Sequence, residues 1–347
     1  MPETYKAVEV AAASSLGIVE RAIPQPGKAQ VLIRVEACGV CHTDSYTVEG
    51  QFPGLHLPRV PGHEVTGRIE AVGADVSRWR VGQRVGVGFF GGSDGQCELC
   101  RRGDFINCQN LTISGISVDG GYAEMMIADA SAVVPLPDSL DAAEAAPLLC
   151  AGVTTYNALR NTPLRSGDLV AVQGIGGLGH LGVQFARHMG FRTVAIARGR
   201  EKEELAKKLG AISYIDAQLE DPAAKLQRMG GAKVILATAA SGSSMAPLIG
   251  GLAPRGRLVV VGASSEPIQV DTAQLIFGAR SLAGSLTGTA IDIEDTLAFA
   301  ALSGIRPMIE KVPLERAREA YARMMQGKAR FRMVLVVGQI EKRDLTE

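Results

Sequence analysis

The sequence predicts an α/β protein in two parts, an irregular β-rich domain followed by a doubly wound domain on a parallel sheet. Three observations predict it. At 347 residues the chain exceeds what one hydrophobic core normally serves, so two cores are expected. Up to about residue 150, short Val-rich runs are cut by Gly and Pro; beyond it, apolar runs alternate with helical stretches, the rhythm of a parallel sheet with right-handed crossovers. The 41 glycines and 46% hydrophobic residues suit a globular chain with many strand-to-helix turns.

Residues 30–35, 67–73 and 82–87 read as strands bounded by turns. After Cys150, residues 169–173 (Leu-Val-Ala-Val-Gln) read as a buried strand, 174–179 as a turn, 180–189 as a helix and 193–197 as the next strand. The alternation continues through 203–209, 234–237 and 257–261 and ends near Gly288. The tail, 329–336, reads as a strand that returns to the first domain. There is no internal repeat and no low-complexity tract.

Lys+Arg and Asp+Glu each number 36, which gives no basic face for nucleic acid or a membrane surface. The expected partner is a small molecule. The amino terminus lacks a basic segment followed by an apolar one, so no secretory signal is expected. The most apolar uncharged stretch, 234–254, contains three glycines and two prolines and reads as buried strand plus loop, not as a membrane span.

The six cysteines fall at 38, 41, 97, 100, 108 and 150. Cys41, His63 and Cys150 form a Cys2His set of the kind that leaves a fourth position on zinc for water or substrate. Their separations, 22 and 87 residues, require a folded domain to gather them, which points to a catalytic site. Asp94, Cys97, Cys100 and Cys108 lie close together in sequence, as ligands of a closed, structural zinc do. Thiols at such spacing read as reduced ligands of a cytoplasmic protein, with disulfides the weaker reading.

Gly174, Gly176 and Gly179 lie between a predicted strand and a predicted helix, as a dinucleotide fingerprint requires. The intervening Gly177 and Leu178 belong to the same phosphate-binding turn, where helix N–H groups favour anions. An acid at the end of the second strand would select NAD. That position is Ala197, followed by Arg198, Gly199 and Arg200. Missing acid and two guanidiniums favour NADP(H) over NAD(H); the competing reading is a solvated loop, with Glu201, Glu203 and Glu204 close by.

Cys41-His42-Thr43-Asp44, Gly62-His63-Glu64 with Gly67, Gly73 and Val76, the cysteine lobe, Cys150-Ala151-Gly152-Val153-Thr154 and the glycine motif together carry a resemblance that runs nearly end to end. The chain resembles the zinc-containing medium-chain alcohol dehydrogenases. The resemblance implies a GroES-like catalytic domain of residues 1–151 and 291–347 around a Rossmann domain of residues 152–290, with cofactor and substrate meeting in the cleft between them. It implies that Cys41, His63 and Cys150 bind catalytic zinc, that Glu64 is an occasional ligand behind the metal, and that Asp44 orients the zinc histidine. It further implies that Thr43 takes the alcohol proton, that His42 and Arg332 contact the cofactor pyrophosphate, and that the protein is a homotetramer or homodimer.

The chemistry is consistent with that family. Zinc as a Lewis acid lowers the pKa of a bound alcohol as it does that of water, and hydride then passes to the nicotinamide; in reverse, zinc polarises a carbonyl. Two positions depart from the family pattern. Tyr46 stands where many relatives carry a histidine that extends the proton relay. Asp94 replaces a fourth cysteine, so the lobe either holds zinc through one oxygen and three sulfurs, less tightly than four thiolates would, or holds no metal.

Cys38 reads as a small buried hydrophobe, and His56, His180 and His188 as ordinary helix or loop histidines. Phe52 and Phe89 are candidate walls of the substrate pocket, or else core phenylalanines. The expected activity is interconversion of alcohols, primary ones in preference because Thr43 is bulkier than serine, with aldehydes or ketones. A binding protein that keeps the fold as an NADPH sensor, or a zinc-free quinone reductase, would not need the metal ligands.

Overall fold

In the computed structural model, which describes residues 4–338, the chain divides into two units. The first comprises the described residues up to Cys150 and from Gly288 onward; the second is Ala151–Thr287. The expected boundaries, after 151 and before 291, move by one and three residues. Cys150 thereby stays with the unit that holds the other candidate ligands, and the helix that follows it, Ala151–Arg160, opens the second unit.

The first unit begins with an antiparallel pair, β1 (Thr4–Val10) and β2 (Leu16–Ala22). It continues through β3 (Gln30–Val40), β4 (Val65–Val72), β5 (Arg84–Val87), β6 (Phe90–Gly92), β7 (Thr112–Ile113), β8 (Met125–Asp129) and β9 (Val133–Pro135). The second unit contributes β10 (Leu169–Gln173), β11 (Arg192–Ala197), β12 (Ser213–Asp216), β13 (Ala232–Ala237), β14 (Leu252–Val260) and β15 (Ser281–Gly284); β16 (Ile309–Pro313) and β17 (Arg332–Val336) return to the first.

The main sheet of the first unit has the order β16-β17-β3-β4-β5-β9, with β8 paired to β3. It is antiparallel except for the parallel pair β16 and β17. β3 is long because its apolar positions continue on both faces: Val31, Leu32, Ile33 and Val35 are buried, and so are Ala37 to Val40. Ile69 of β4 and Tyr122 add fully buried bulk to the same core. The returning tail expected from the sequence is β17, paired antiparallel with β3.

The second unit is a six-stranded parallel sheet in the order β12-β11-β10-β13-β14-β15, the doubly wound arrangement. All five residues of β10 are buried, as a central parallel strand covered on both faces requires. Local signals set the helices. Asp221 caps the helix Pro222–Arg228 by accepting from Ala223 and Ala224 N–H, with Pro222 at the first helical position, where its missing donor costs nothing. The order reverses between β11 and β13 on either side of β10, and ligands of open α/β sheets bind beyond the carboxyl ends of strands at such a point.

Candidate active site

The antiparallel pairing of β3 with β4 places Cys38 opposite Val65. The residues just past the end of β3 therefore meet those just before β4, which brings Cys41 to His63 and Glu64. β17 enters on the other side of β3 with Met333 opposite Val40, so Arg332 arrives beside Cys41. Cys150 follows the short helix Ala146–Leu149, whose four residues are all buried. The result is a buried cluster in which ligand atoms of Cys41, His63, Glu64 and Cys150 lie within 4.8 Å of one another.

Cys41 begins a 3-10 turn, His42–Asp44, and the Asp44 carboxylate folds back so that Oδ2 accepts the Cys41 backbone N–H at 2.8 Å. The other oxygen, Oδ1, lies 3.0 Å from His63 Nδ1. The contact at Nδ1 is a close polar approach without the geometry of a hydrogen bond, and Nε2 of this fully buried ring has no partner at all. A buried ring nitrogen without a partner is rare unless something else binds it. Glu64 presents Oε1 to the Arg332 guanidinium and keeps Oε2 unpaired, and the two thiols of Cys41 and Cys150 stand 3.9 Å apart. Two sulfurs, an imidazole and a carboxylate in reserve fit a zinc ion with one position free for substrate.

The electrostatics agree. Burial opposes charge on the His63 ring, but Asp44 and Cys41 outweigh it and carry its pKa up to about 10. The Cys41 thiol is brought well below its ordinary range by the bond from Cys150, helped by the charges of Arg332 and His63 and opposed by burial. A thiolate beside a ring that binds a proton avidly favours a cation, and a metal ion held there would take the place of that proton.

Gly39 is fitted to this cluster. A β-carbon there would come within 1.9 Å of Glu64 Oε2, so only glycine at this point of β3 leaves room for the carboxylate.

Thr43 is half-buried and His42 exposed in the turn after Cys41, and Phe89 packs edge-on against the His63 ring, centroids 5.8 Å apart. Phe52 meets the ring of Tyr46 edge-on at 6.1 Å, so Tyr46 belongs to the aromatic surroundings of the same turn. Cys38 is fully buried, and burial raises its thiol pKa. Arg332, expected at a pyrophosphate, is buried and held by Glu64. Tyr122 was not expected: its hydroxyl, fully buried, donates to Asp44 Oδ2 at 2.8 Å.

In the second cluster, ligand atoms of Asp94, Cys97, Cys100 and Cys108 again lie within 4.8 Å of one another. Cys108 Sγ accepts the backbone N–H groups of Asp94 at 3.4 Å and Asn110 at 3.3 Å, and the Cys97 thiol is lowered by the N–H groups of Cys100 and Gln109. Backbone donors aimed at sulfur favour thiolates, the form that binds metal. Asp94 Oδ1 accepts from the N–H groups of Gln96 and Cys97, and Oδ2 from the Asn110 side chain; these bonds hold its pKa far below the usual carboxylate range.

In the second unit, Gly174 adopts a left-handed φ of +89° at the end of β10. A β-carbon on Gly179 would strike the Gly174 carbonyl oxygen at 1.7 Å, whereas one on Gly176 would meet no protein atom within 4 Å. The third glycine thus lets the helix Gly179–His188 close onto the strand, and the second leaves open space. A groove of about 420 Å³ adjoins this turn, bounded by Gln173 to Ile175, Ile196 to Arg198, Glu201, Lys202 and Ala239 to Ser241 among others. Arg198 and Arg200 are exposed and form no ion pair among the described residues; Arg198 lines this groove with Glu201, whereas Arg200 lines a separate hollow with Glu203, Asp216 and Glu220. Asp216, in register with Ala197, spends Oδ1 on the N–H groups of Gly199 and Gln218. His180 is buried at the start of the helix, with Nδ1 2.9 Å from the Gly176 carbonyl and a pKa lowered to about 4 by burial; it is a neutral helix histidine.

With that geometry in place, comparison with known proteins finds the following. Residues 27–138 match the alcohol dehydrogenase GroES-like domain family, and residues 177–302 the zinc-binding dehydrogenase family. An alcohol dehydrogenase from Penicillium expansum is 45% identical, covering 97% of this chain and 98% of its own. One from Geobacillus stearothermophilus is 40% identical, covering 90% and 94%. Among solved structures, a cinnamyl alcohol dehydrogenase from Sorghum bicolor superposes with a TM-score of 0.86 at 31% identity, covering 98% and 99% of the two chains.

Gly39→Ala is expected to displace the Glu64 carboxylate and weaken metal retention in the buried cluster, with the fold intact. Metal analysis after dialysis against a mild chelator should find less zinc in the variant than in the wild type, and an unchanged content would show that Glu64 can move freely.

Proposed function

The chain belongs to the zinc-binding medium-chain alcohol dehydrogenases, and from that membership we propose which of its residues hold the metal, move the proton and choose the cofactor. As a member it is an oxidoreductase that interconverts alcohols and carbonyl compounds with a nicotinamide cofactor. Cys41, His63 and Cys150 are the catalytic zinc ligands in this proposal, and Glu64 stands in reserve behind the metal. The observation that carries it is the fully buried His63 ring, whose Nε2 has no partner near the two thiols while Nδ1 faces Asp44 Oδ1 at 3.0 Å. Zinc bound there supplies Lewis-acid polarisation of the substrate oxygen.

The protein side chains supply the rest. Asp44 fixes the His63 tautomer, so that Nε2 presents its lone pair. Thr43, two residues past the first ligand and half-buried, accepts the alcohol proton and passes it outward; Tyr46, exposed at the same turn, leaves the outer step to water or to the cofactor ribose. His42 reaches the cofactor phosphates. Thr43 beside the metal narrows the pocket towards primary alcohols, and Phe52 and Phe89 form its apolar walls. The second cluster holds a structural zinc through Asp94, Cys97, Cys100 and Cys108, supported by the N–H groups directed at the Cys97 and Cys108 sulfurs. Thiol pairs 3.9 Å apart in both clusters would be lost as ligands on oxidation, which favours the reducing cytoplasm.

NADP(H) is the proposed cofactor. Its pyrophosphate would lie on the turn of Gly174, Gly176, Gly177, Leu178 and Gly179, where the open space over Gly176 admits it, and its 2′-phosphate between Arg198 and Arg200. The acid on the neighbouring strand, Asp216, gives Oδ1 to two backbone donors. The proposed oligomer is at least a homodimer. β15 is an edge strand of the parallel sheet, and next to it Leu286, Ile276 and Phe277 are exposed, the last by 91%; a twofold partner pairing along that edge would satisfy its open backbone groups and cover the apolar side chains.

Zinc analysis is expected to find two ions per chain, and aldehyde reduction should vanish when both are removed and return when zinc is restored. Cys41→Ser should lose one ion and nearly all turnover yet still bind NADPH; turnover that persists without zinc would overturn the ligand assignment. Arg198→Ala with Arg200→Ala should raise KM for NADPH by roughly 10-fold or more, the loss of a charge-assisted phosphate contact, and leave KM for NADH little changed. An equal effect on both cofactors would remove the phosphate contact. Leu286→Asp should lower the molar mass measured by light scattering; an unaltered mass would place the subunit contact elsewhere.

A further inference from the structure

Asp44 uses its two oxygens differently: Oδ1 faces His63 Nδ1 at 3.0 Å, and Oδ2 accepts both the Cys41 N–H and the Tyr122 hydroxyl at 2.8 Å. We propose that Tyr122 is a positioning residue of the metal centre, whose hydroxyl bond to Asp44 sets how strongly Asp44 draws on the His63 N–H and therefore how strongly the ring donates to the metal. This rests on the reading of Cys41, His63 and Cys150 as zinc ligands.

The ring cannot move away from that role. A β-carbon on Gly62 would lie 2.5 Å from Tyr122 Cδ1 and 2.8 Å from Cys38 Sγ, so the ring and the Cys38 thiol pack directly against the residue before His63. The Tyr122 N–H donates to the Pro61 carbonyl at 3.0 Å, and its own carbonyl accepts from Val8 at 2.7 Å. Tyr122 is thus tied by its main chain to the loop that carries the ligand, and by its side chain to the carboxylate that orients the ligand.

Packing alone does not call for the hydroxyl. Phenylalanine would fill the same apolar space, and a buried O–H carries a desolvation cost unless it is bonded. The ionisable groups around it are Asp44, Cys38 and Cys41; burial and the Asp44 charge keep the phenol protonated well above its ordinary range, so it remains a neutral donor to a carboxylate. A carboxylate that loses one donor concentrates its charge on the partners that remain. Without the Tyr122 bond, Asp44 would draw harder on the His63 ring, the ring would become a stronger donor, and a metal held there would be a weaker Lewis acid. Tyr122 therefore acts in the direction that keeps the metal acidic and the substrate alcohol easy to deprotonate.

The test uses the whole protein with zinc, and with cobalt in place of zinc, in three forms: Tyr122→Phe, a ring-fluorinated tyrosine at 122, and Cys38→Ala, which alters packing against the same ring without touching Asp44. Tyr122→Phe is expected to retain two metal ions per chain, to shift the thiolate-to-cobalt absorption, and to move the rising limb of alcohol oxidation to higher pH by a fraction of the roughly one pH unit that a hydrogen bond gives a carboxylate directly. The fluorinated ring, a stronger donor, should move the limb down, and Cys38→Ala should move neither readout. The proposal is overturned if Tyr122→Phe leaves the spectrum and the limb unmoved, if both ring variants shift the limb the same way, or if Cys38→Ala shifts it as far as Tyr122→Phe. A wild-type protein without zinc-dependent turnover would instead overturn the ligand assignment beneath it.

Discussion

The registers of β3 against β4 on one side and β17 on the other are the constraint on which the metal cluster depends. Cys41, His63 and Arg332 are far apart in sequence and come together because each flanks a strand end at one level of the sheet. A slip of one residue in either pairing would turn the adjoining side chains to the opposite face. The registers are held by the apolar faces of β3, which are buried along most of the strand, so the hydrophobic core of this unit and the geometry of its site have one origin. Gly39 lies in the same segment and keeps the space that the Glu64 carboxylate needs.

The buried charges inside this frame are not explained by stability. Replacing a buried ion pair with well-packed apolar residues is often neutral or stabilising by about 1–4 kcal/mol, whereas removing a single partner costs about 3–5 kcal/mol. Glu64 is fully buried, Arg332 nearly so, and each is the other's main compensation. Such a pair persists where its charge serves a site: Arg332 lowers the Cys41 thiol, and Glu64 keeps one oxygen without a partner among the ligand atoms. Asp44 follows the same logic. Its carboxylate is costly to bury, and three contacts, to the Cys41 N–H, the Tyr122 hydroxyl and His63, repay that cost.

What was legible in the sequence follows from what is local. An uninterrupted apolar run predicted β10 to the residue, and the glycines between it and the next helix predicted the turn, because both depend on neighbours within a few positions. The two candidate metal clusters were legible for another reason: cysteine and histidine seldom gather at such spacing without chemical cause. The pairing of Arg332 with Glu64, 268 residues away, was not legible, because no local pattern encodes a register of that span. Tyr122 escaped notice because a tyrosine after two glycines reads as a core residue beside a turn. Its hydroxyl acquires meaning only when β1, the His63 loop and the Cys41 turn converge. The absent acid at Ala197 was legible, but that Asp216 lies beside it, with Oδ1 on the Gly199 N–H, could be seen only in the parallel pairing of β11 with β12.

Asp94 is better understood through its oxygens than as a poor substitute for cysteine. A thiolate in its place would offer the metal a softer donor, yet could not accept so well from three donors at once. The carboxylate closes the loop by taking two backbone N–H groups on one oxygen and the Asn110 amide on the other. Asn110 in turn directs its backbone N–H at Cys108 Sγ, so the same short network that anchors Asp94 also orders a sulfur ligand. The lobe therefore keeps its shape through hydrogen bonds that a four-thiolate site would leave to the metal. For the zinc proposed at this lobe, a loop already arranged for binding would offset the weaker affinity of one oxygen donor.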